Sequence, residues 1–169
     1  MELTAELKRI CGVDLTSIDG IDVMTVMTVI SEVGTDLSGF KDENHFAAWM
    51  GLVPSKDITG GKVVKNSKKK VKNRVGVALR MAATTLLDSD TYLGARYRYL
   101  RRQLPTFKSA AKAMAHYLAV LIYRLLTKGP AWVDRGAAQF ERRRAERELA
   151  SLHSRARAQG FTLVPIAAC

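Results

Sequence analysis

Cysteine is scarce in this chain: Cys11 and Cys169 are the two among 169 residues. Two thiols near opposite ends make neither a disulfide framework nor a CxxC metal or redox site, and they suit a reducing cytoplasm. Long hydrophobic runs are missing too. The longest, Tyr117-Leu-Ala-Val-Leu-Ile-Tyr123, stops at Arg124, far short of the ~20 apolar residues that cross a bilayer. No membrane partner is expected. The first ten residues place acids at Glu2 and Glu6 and show no signal-peptide pattern. His45, His116 and His153 lie far apart, and no Cys, His and carboxylate group has metal-ligand spacing. Each histidine reads as a surface or core residue, and no cofactor is expected in this chain. Nor is there a constellation of acids of the kind that holds catalytic Mg²⁺. Asp88 and Asp90, two apart before a helical stretch, read as helix caps.

What is present is positive charge, and it is unevenly placed. The net charge is +11. Residues 1–57 hold 4 basic and 10 acidic residues, a net of −6; residues 58–133 hold 16 basic and 2 acidic, a net of +14; residues 134–169 hold 7 and 4, a net of +3. Self-repulsion of that size is relieved by a polyanion, whose bound counterions are released on contact. A solvated basic face with no partner is the bland alternative; nucleic acid is the better one.

The length fits one domain of ~100–200 residues, with 47% hydrophobic residues to build a core without staples. Apolar spacing and cap signals predict helices over 2–11, 23–33, 42–50, 71–87, 88–103 and 107–127, and 134–158 reads as a charged helix with poor apolar periodicity. Stops are expected at Gly34, Gly51, Pro105 and Gly129-Pro130, and caps at Asp42 and Thr106. The Val, Thr and Ile of 23–33 would also suit a strand. Residues 55–70 are irregular, with a β-hairpin possible where Ile58 turns back through Val63-Val64. The expected fold is all-α: one helical domain with a hairpin-like start, a Gly/Lys-rich loop and a long charged C-terminal helix.

The loop Gly51-Leu-Val-Pro-Ser-Lys-Asp-Ile-Thr-Gly-Gly-Lys62 is the most informative stretch. A hydroxyl at Thr59 precedes two glycines and a lysine. Glycines let a phosphate approach backbone N–H groups, and Lys62 can offset its charge. Thr59 could attack a phosphodiester once its proton is taken. The stretch is not a Walker A loop, and alone it is equally a turn. Tyr92, Tyr97, Tyr99, Tyr117 and Tyr123 accompany Arg96, Arg98, Arg101 and Arg102. Packing and phosphate contact rank above a tyrosine nucleophile there. Ser17-Ile-Asp-Gly-Ile-Asp22 resembles half of a helix-hairpin-helix, which offers backbone N–H groups to phosphate. Asp22 stands where the usual hairpin has a glycine, so a packing hairpin is as good a reading.

In order, these stretches resemble the C-terminal domain of insertion-sequence one-ten transposases (the IS116/IS110/IS902 type, Piv- and MooV-like DEDD enzymes). The resemblance runs from about Leu15 to Val164. It rests on Ile18-Asp-Gly-Ile-Asp22, Ile30-Ser-Glu-Val-Gly34, Ala48-Trp-Met-Gly-Leu-Val-Pro54 and Ile58-Thr-Gly-Gly-Lys62. It continues through Val71-Lys-Asn-Arg74, Ala78-Leu-Arg-Met-Ala-Ala83, Leu93-Gly-Ala95 and Lys112-Ala-Met-Ala-His116. It implies a two-part enzyme: an N-terminal domain whose four acids bind Mg²⁺, then a coiled coil, then a domain with a serine nucleophile that joins covalently to DNA. It also implies a guide RNA and a homo-oligomer. The nucleophile position is Thr59 here, a threonine for the family's serine.

The expectation is therefore a fragment lacking the acidic domain. Residues 1–14 would end the coiled coil, 15–130 would be the transposase C-terminal domain, and 131–169 a charged helix and tail. Its partners would be DNA and guide RNA, and Mg²⁺ would belong to the absent domain. Thr59 would be the catalytic residue. Lys62, Lys65, Lys68, Lys69, Lys70, Lys72 and Arg74 would hold phosphates, with Arg96, Arg98, Arg101 and Arg102 as a second basic group. The alternatives are a non-enzymatic helical DNA- or RNA-binding protein and a helical oligomerisation module whose charge serves solubility.

Overall fold

The computed structural model describes residues 2–53, 57–59, 62–65, 73–129 and 137–164. The described chain is all-α apart from one small hairpin. Its helices are α1 (Glu2–Cys11), α2 (Val23–Val33), α3 (Glu43–Trp49), α4 (Arg74–Thr85), α5 (Tyr92–Gln103), α6 (Phe107–Lys128) and α7 (Ala137–Ala158). Short 3₁₀ turns, Leu15–Ser17 and Leu86–Asp88, precede α2 and follow α4. Among the described residues no helix is long and apolar enough to cross a membrane.

The centre of the fold is α6, and its sequence explains why. Ala110, Ala111, Met114, Ala115, Leu118, Ala119, Val120, Leu121, Ile122 and Leu125 are all buried. A helix apolar on so many sides must be surrounded, and α3, α4 and α5 pack against it. Small alanines let those helices approach closely, while Met114, Leu118 and Ile122 fill the space between. Truncating any of these three fully buried side chains would cost about 2–5 kcal/mol. Phe46 of α3 sits edge-on to Phe40 at 5.1 Å and tilted against Tyr123 at 5.6 Å.

Side-chain caps set the helix starts. The Asp22 carboxylate accepts from Thr25 N at 2.7 Å, which resolves residues 23–33 as a helix despite their β-branched content. Asp42 accepts from the N–H groups of Asn44 and His45 at 2.8 Å. Thr106 and Ser109 form a reciprocal capping box.

One capping expectation is corrected. Asp88 and Asp90 do not cap α5; Thr91 does, accepting from Gly94 N at 3.3 Å. Asp88 is instead taken up in the 3₁₀ turn that tightens the end of α4. Ser89 and Thr91 are drawn off by a distant carboxylate: Asp19 Oδ2 accepts from both hydroxyls. That bond fixes the extended residue at position 91, so α5 begins at Tyr92 rather than 88.

Candidate nucleic-acid interface

The possible hairpin of the irregular loop is present. Strand β1 (Asp57–Thr59) pairs antiparallel with β2 (Lys62–Lys65), Ile58 opposite Val63 and Thr59 opposite Lys62. Thr59 therefore ends its strand with the Lys62 backbone directly across. Gly60 and Gly61, which separate them in sequence, lie outside the described residues, as do Lys68, Lys69, Lys70 and Lys72. For Thr59, Lys62 and Lys65 the backbone placement is what is established.

The hairpin leaves the helical body between α3 and α4. Leu52 is buried, and its N–H donates to the Ala47 carbonyl at 3.1 Å, closing the end of α3. Met50, two residues earlier, lies against α4: a Cβ built on Gly76 would meet the Met50 carbonyl oxygen at 2.3 Å, so only glycine allows this approach. From α6, Lys112 Nζ donates to the Val53 carbonyl at 3.4 Å. Burial, and then the neighbouring Arg80 of α4, lower the Lys112 pKa. Arg74 opens α4 with its side chain 84% exposed, 3.6 Å from the Glu32 carboxylate. An exposed pair that long contributes little, which leaves Arg74 available to a phosphate.

The second basic group does not form one surface. Residues 96, 98, 101 and 102 are spread around α5 by the helix's ~100° per residue. The Arg96 guanidinium stacks 3.9 Å above the Tyr117 ring, and its Nε is buried without a hydrogen-bond partner in the described residues. Arg98 donates to the carbonyls of Leu87 at 3.1 Å and Ser89 at 2.6 Å, holding the turn before its own helix. Arg101 lies 4.9 Å over Phe107. Arg102 is exposed. Three of the four are engaged inside the molecule.

Two of the five tyrosines, Tyr97 and Tyr117, are poorly placed to act as nucleophiles. Tyr97 is 0% exposed. Burial first, and then the bond with Tyr92, push the Tyr117 phenol up to about 12, where the phenolate is rare at neutral pH. At the Ile18–Asp22 turn, Gly20 takes φ +82° and packs on Leu86. Asp19 and Asp22 spend their carboxylates on Ser89, Thr91 and Thr25 N. The turn packs on the end of α4 and lines a cleft of about 420 Å³.

Arg80 and Lys112 were not singled out by charge runs. They lie 32 residues apart on α4 and α6, two helices that pack on each other. The signal available in the sequence was the lack of any acid within either helix.

A family model described as Transposase IS116/IS110/IS902 family matches residues 14–98, half of the chain. The chain belongs to that transposase family. The matched span starts before the Leu15–Ser17 turn and ends within α5. It takes in the hairpin with Thr59 and the whole of α4; α6 and α7 of this transposase-family chain lie beyond it. No curated protein and no solved structure matches the chain.

Proposed function

We propose that this transposase-family chain binds DNA through its basic middle segment and carries, at Thr59, the nucleophile position of DNA strand exchange. The observation that carries the proposal is the register of the hairpin, which sets Thr59 opposite Lys62 across a two-glycine connection. A hydroxyl supplies the attacking oxygen and an ammonium on the neighbouring strand can offset phosphate charge, while the proton acceptor must come from elsewhere. In that step the Thr59 oxygen–phosphorus bond forms and a phosphorus–deoxyribose oxygen bond breaks. The threonine proton ends on the departing oxygen, so the exchange balances.

The described residues do not fit the Mg²⁺ that the family's chemistry implies: no group of three or more His, Cys, Asp and Glu among them could hold a metal. The acids that bind it are assigned to a separate, N-terminal domain, and no step is routed through it here. DNA, a guide RNA and further copies of the chain are the partners of this proposal, and the cytoplasm its compartment. The threonine in place of the family's serine favours one second reading, a binding protein that has lost the chemistry. Trapping on a nicked DNA substrate separates the two. A covalent protein–DNA band on a denaturing gel that vanishes with Thr59→Ala supports strand exchange. Salt-dependent DNA binding with no adduct, even when an acidic metal domain of the family is supplied, supports the binding protein.

A further inference from the structure

We propose that Arg80 of α4 and Lys112 of α6 form a site for one backbone phosphate of a nucleic acid at the root of the β1–β2 hairpin. The proposal rests on the DNA-binding reading above and gives it a site outside both basic groups named from the sequence. Gly76, one turn before Arg80 on the same face of α4, touches the Met50 carbonyl. Arg80 thus shares the face of α4 that meets this segment and is a charged neighbour of Lys112. Lys112 reaches the same segment through its bond to Val53. That 3.4 Å contact uses one of three ammonium donors.

Among the described residues no carboxylate is paired with Arg80 or Lys112. Neither α4 nor α6 contains an acid. Glu43, on α3, reaches as far as His116, one turn along α6 from Lys112, but both of its carboxylate oxygens are held by Arg124. Glu32 faces Arg74 instead. Like charges brought together and partly withdrawn from water, with no counter-charge, cost free energy in the unliganded chain; an anion held between them reverses the sign of that term. A phosphate accepts hydrogen bonds from both the planar guanidinium and the ammonium. Exposed Lys108, one turn before Lys112 on the same face, continues the positive strip outward.

The test uses the full chain, a labelled DNA duplex and a series of salt concentrations, with Arg80→Gln, Lys112→Gln and the double variant, each also melted thermally. For the double variant we expect a slope of log K against log salt smaller by about one, and affinity at 0.1 M salt about eightfold weaker. Its melting temperature should be equal or higher, because a repulsion is removed. Each single variant should give part of the loss, and Lys112→Arg none. An unchanged slope in variants that bind, or a lowered melting temperature with an unchanged slope, overturns the proposal and leaves Lys112 a tether for Val53. If the wild-type chain binds no DNA at low salt, the DNA-binding reading fails instead. Inorganic phosphate is then the probe. Stabilisation of wild type but not of the double variant keeps the anion site, and stabilisation of neither removes it.

Discussion

Gly76 and Met50 meet backbone to backbone, the Met50 carbonyl oxygen lying 2.3 Å from where a Gly76 Cβ would be. This contact seats the chain entering the hairpin on the first turns of α4. Gly76→Ala sets two effects against each other. Alanine is better than glycine inside a helix by ~1 kcal/mol. Overpacking against backbone, which cannot rotate away, costs about 1–3 kcal/mol. The clash should win, and urea unfolding should show a net loss of stability together with weaker DNA binding. A stabilised Gly76→Ala variant would show that residues 50–53 yield freely and do not position the hairpin.

Asp19 ties the turn before α2 to the start of α5, accepting from Ser89 and Thr91. Thr91 also caps α5, so Thr91→Ala removes two interactions and should cost about 1–2 kcal/mol. Asp19→Ala should cost about 1 kcal/mol. The two losses should not add: the double variant should be less destabilised than their sum by at least ~0.5 kcal/mol. Strict additivity in a double-mutant cycle would mean the hydroxyls find water equally well.

The same contact shows where the sequence stops being legible. Helix existence followed from local rules: Asp42 and Thr106 cap as their spacing suggests, while the cap at Asp22, read from the sequence only as a hairpin residue, was missed. The start of α5 did not, because it depends on a carboxylate 70 residues away from Ser89. Family membership was legible because it rests on the order of short stretches, which needs no coordinates. The arginines at 96–102 were grouped by proximity in sequence, whereas helix geometry turns Arg96 to Tyr117 and Arg98 back to Ser89. Arg80 and Lys112 fail the opposite way: far apart in sequence, they are joined only by packing.

Glu43 and Arg124 link α3 to α6 in a two-fold hydrogen-bonded pair, with side chains 21% and 25% exposed. The bond from Arg124 is the main cause holding the Glu43 carboxyl below its ordinary pKa. A depressed carboxylate pKa adds stability that is fully present above the unfolded value, near 4.3, and is lost as pH falls through the folded one. Glu43→Gln should lower stability at pH 7 by about 1–2 kcal/mol and flatten the fall in melting temperature below pH 4.5. A variant whose acid limb matches that of wild type would place the pH sensitivity elsewhere.

Lys68, Lys69 and Lys70 are three consecutive cations in the acid-poor middle of the sequence. Replacing all three with glutamine should reduce the salt slope for DNA by roughly two to three, with little change in sequence preference, because phosphate contacts carry none. An unchanged slope would show that these lysines face solvent and would leave Arg74, Arg80, Arg102 and Lys112 as the main contacts.

Thr59 tests the chemistry itself. The chain alone should show no Mg²⁺-dependent DNA cleavage, since the described residues offer no metal-binding acids and a bare hydroxyl is a weak nucleophile. With an acidic domain and guide RNA of the family supplied, Thr59→Ser should raise the yield of covalent adduct. Both residues carry a hydroxyl of similar acidity, so the bond-forming step is open to either. The threonine methyl sits on the carbon that bears the oxygen and restricts χ1. In-line attack accepts a narrow approach, and a misplacement of ~1 Å costs about a hundredfold, which bounds the gain expected from serine. If Thr59 serves only the turn, Thr59→Ser and Thr59→Ala will give the same adduct yield. An adduct that survives Thr59→Ala but is lost with Ser55→Ala or Ser67→Ala would move the nucleophile off β1, and with it the role assigned to the strand pairing that sets Thr59 against Lys62.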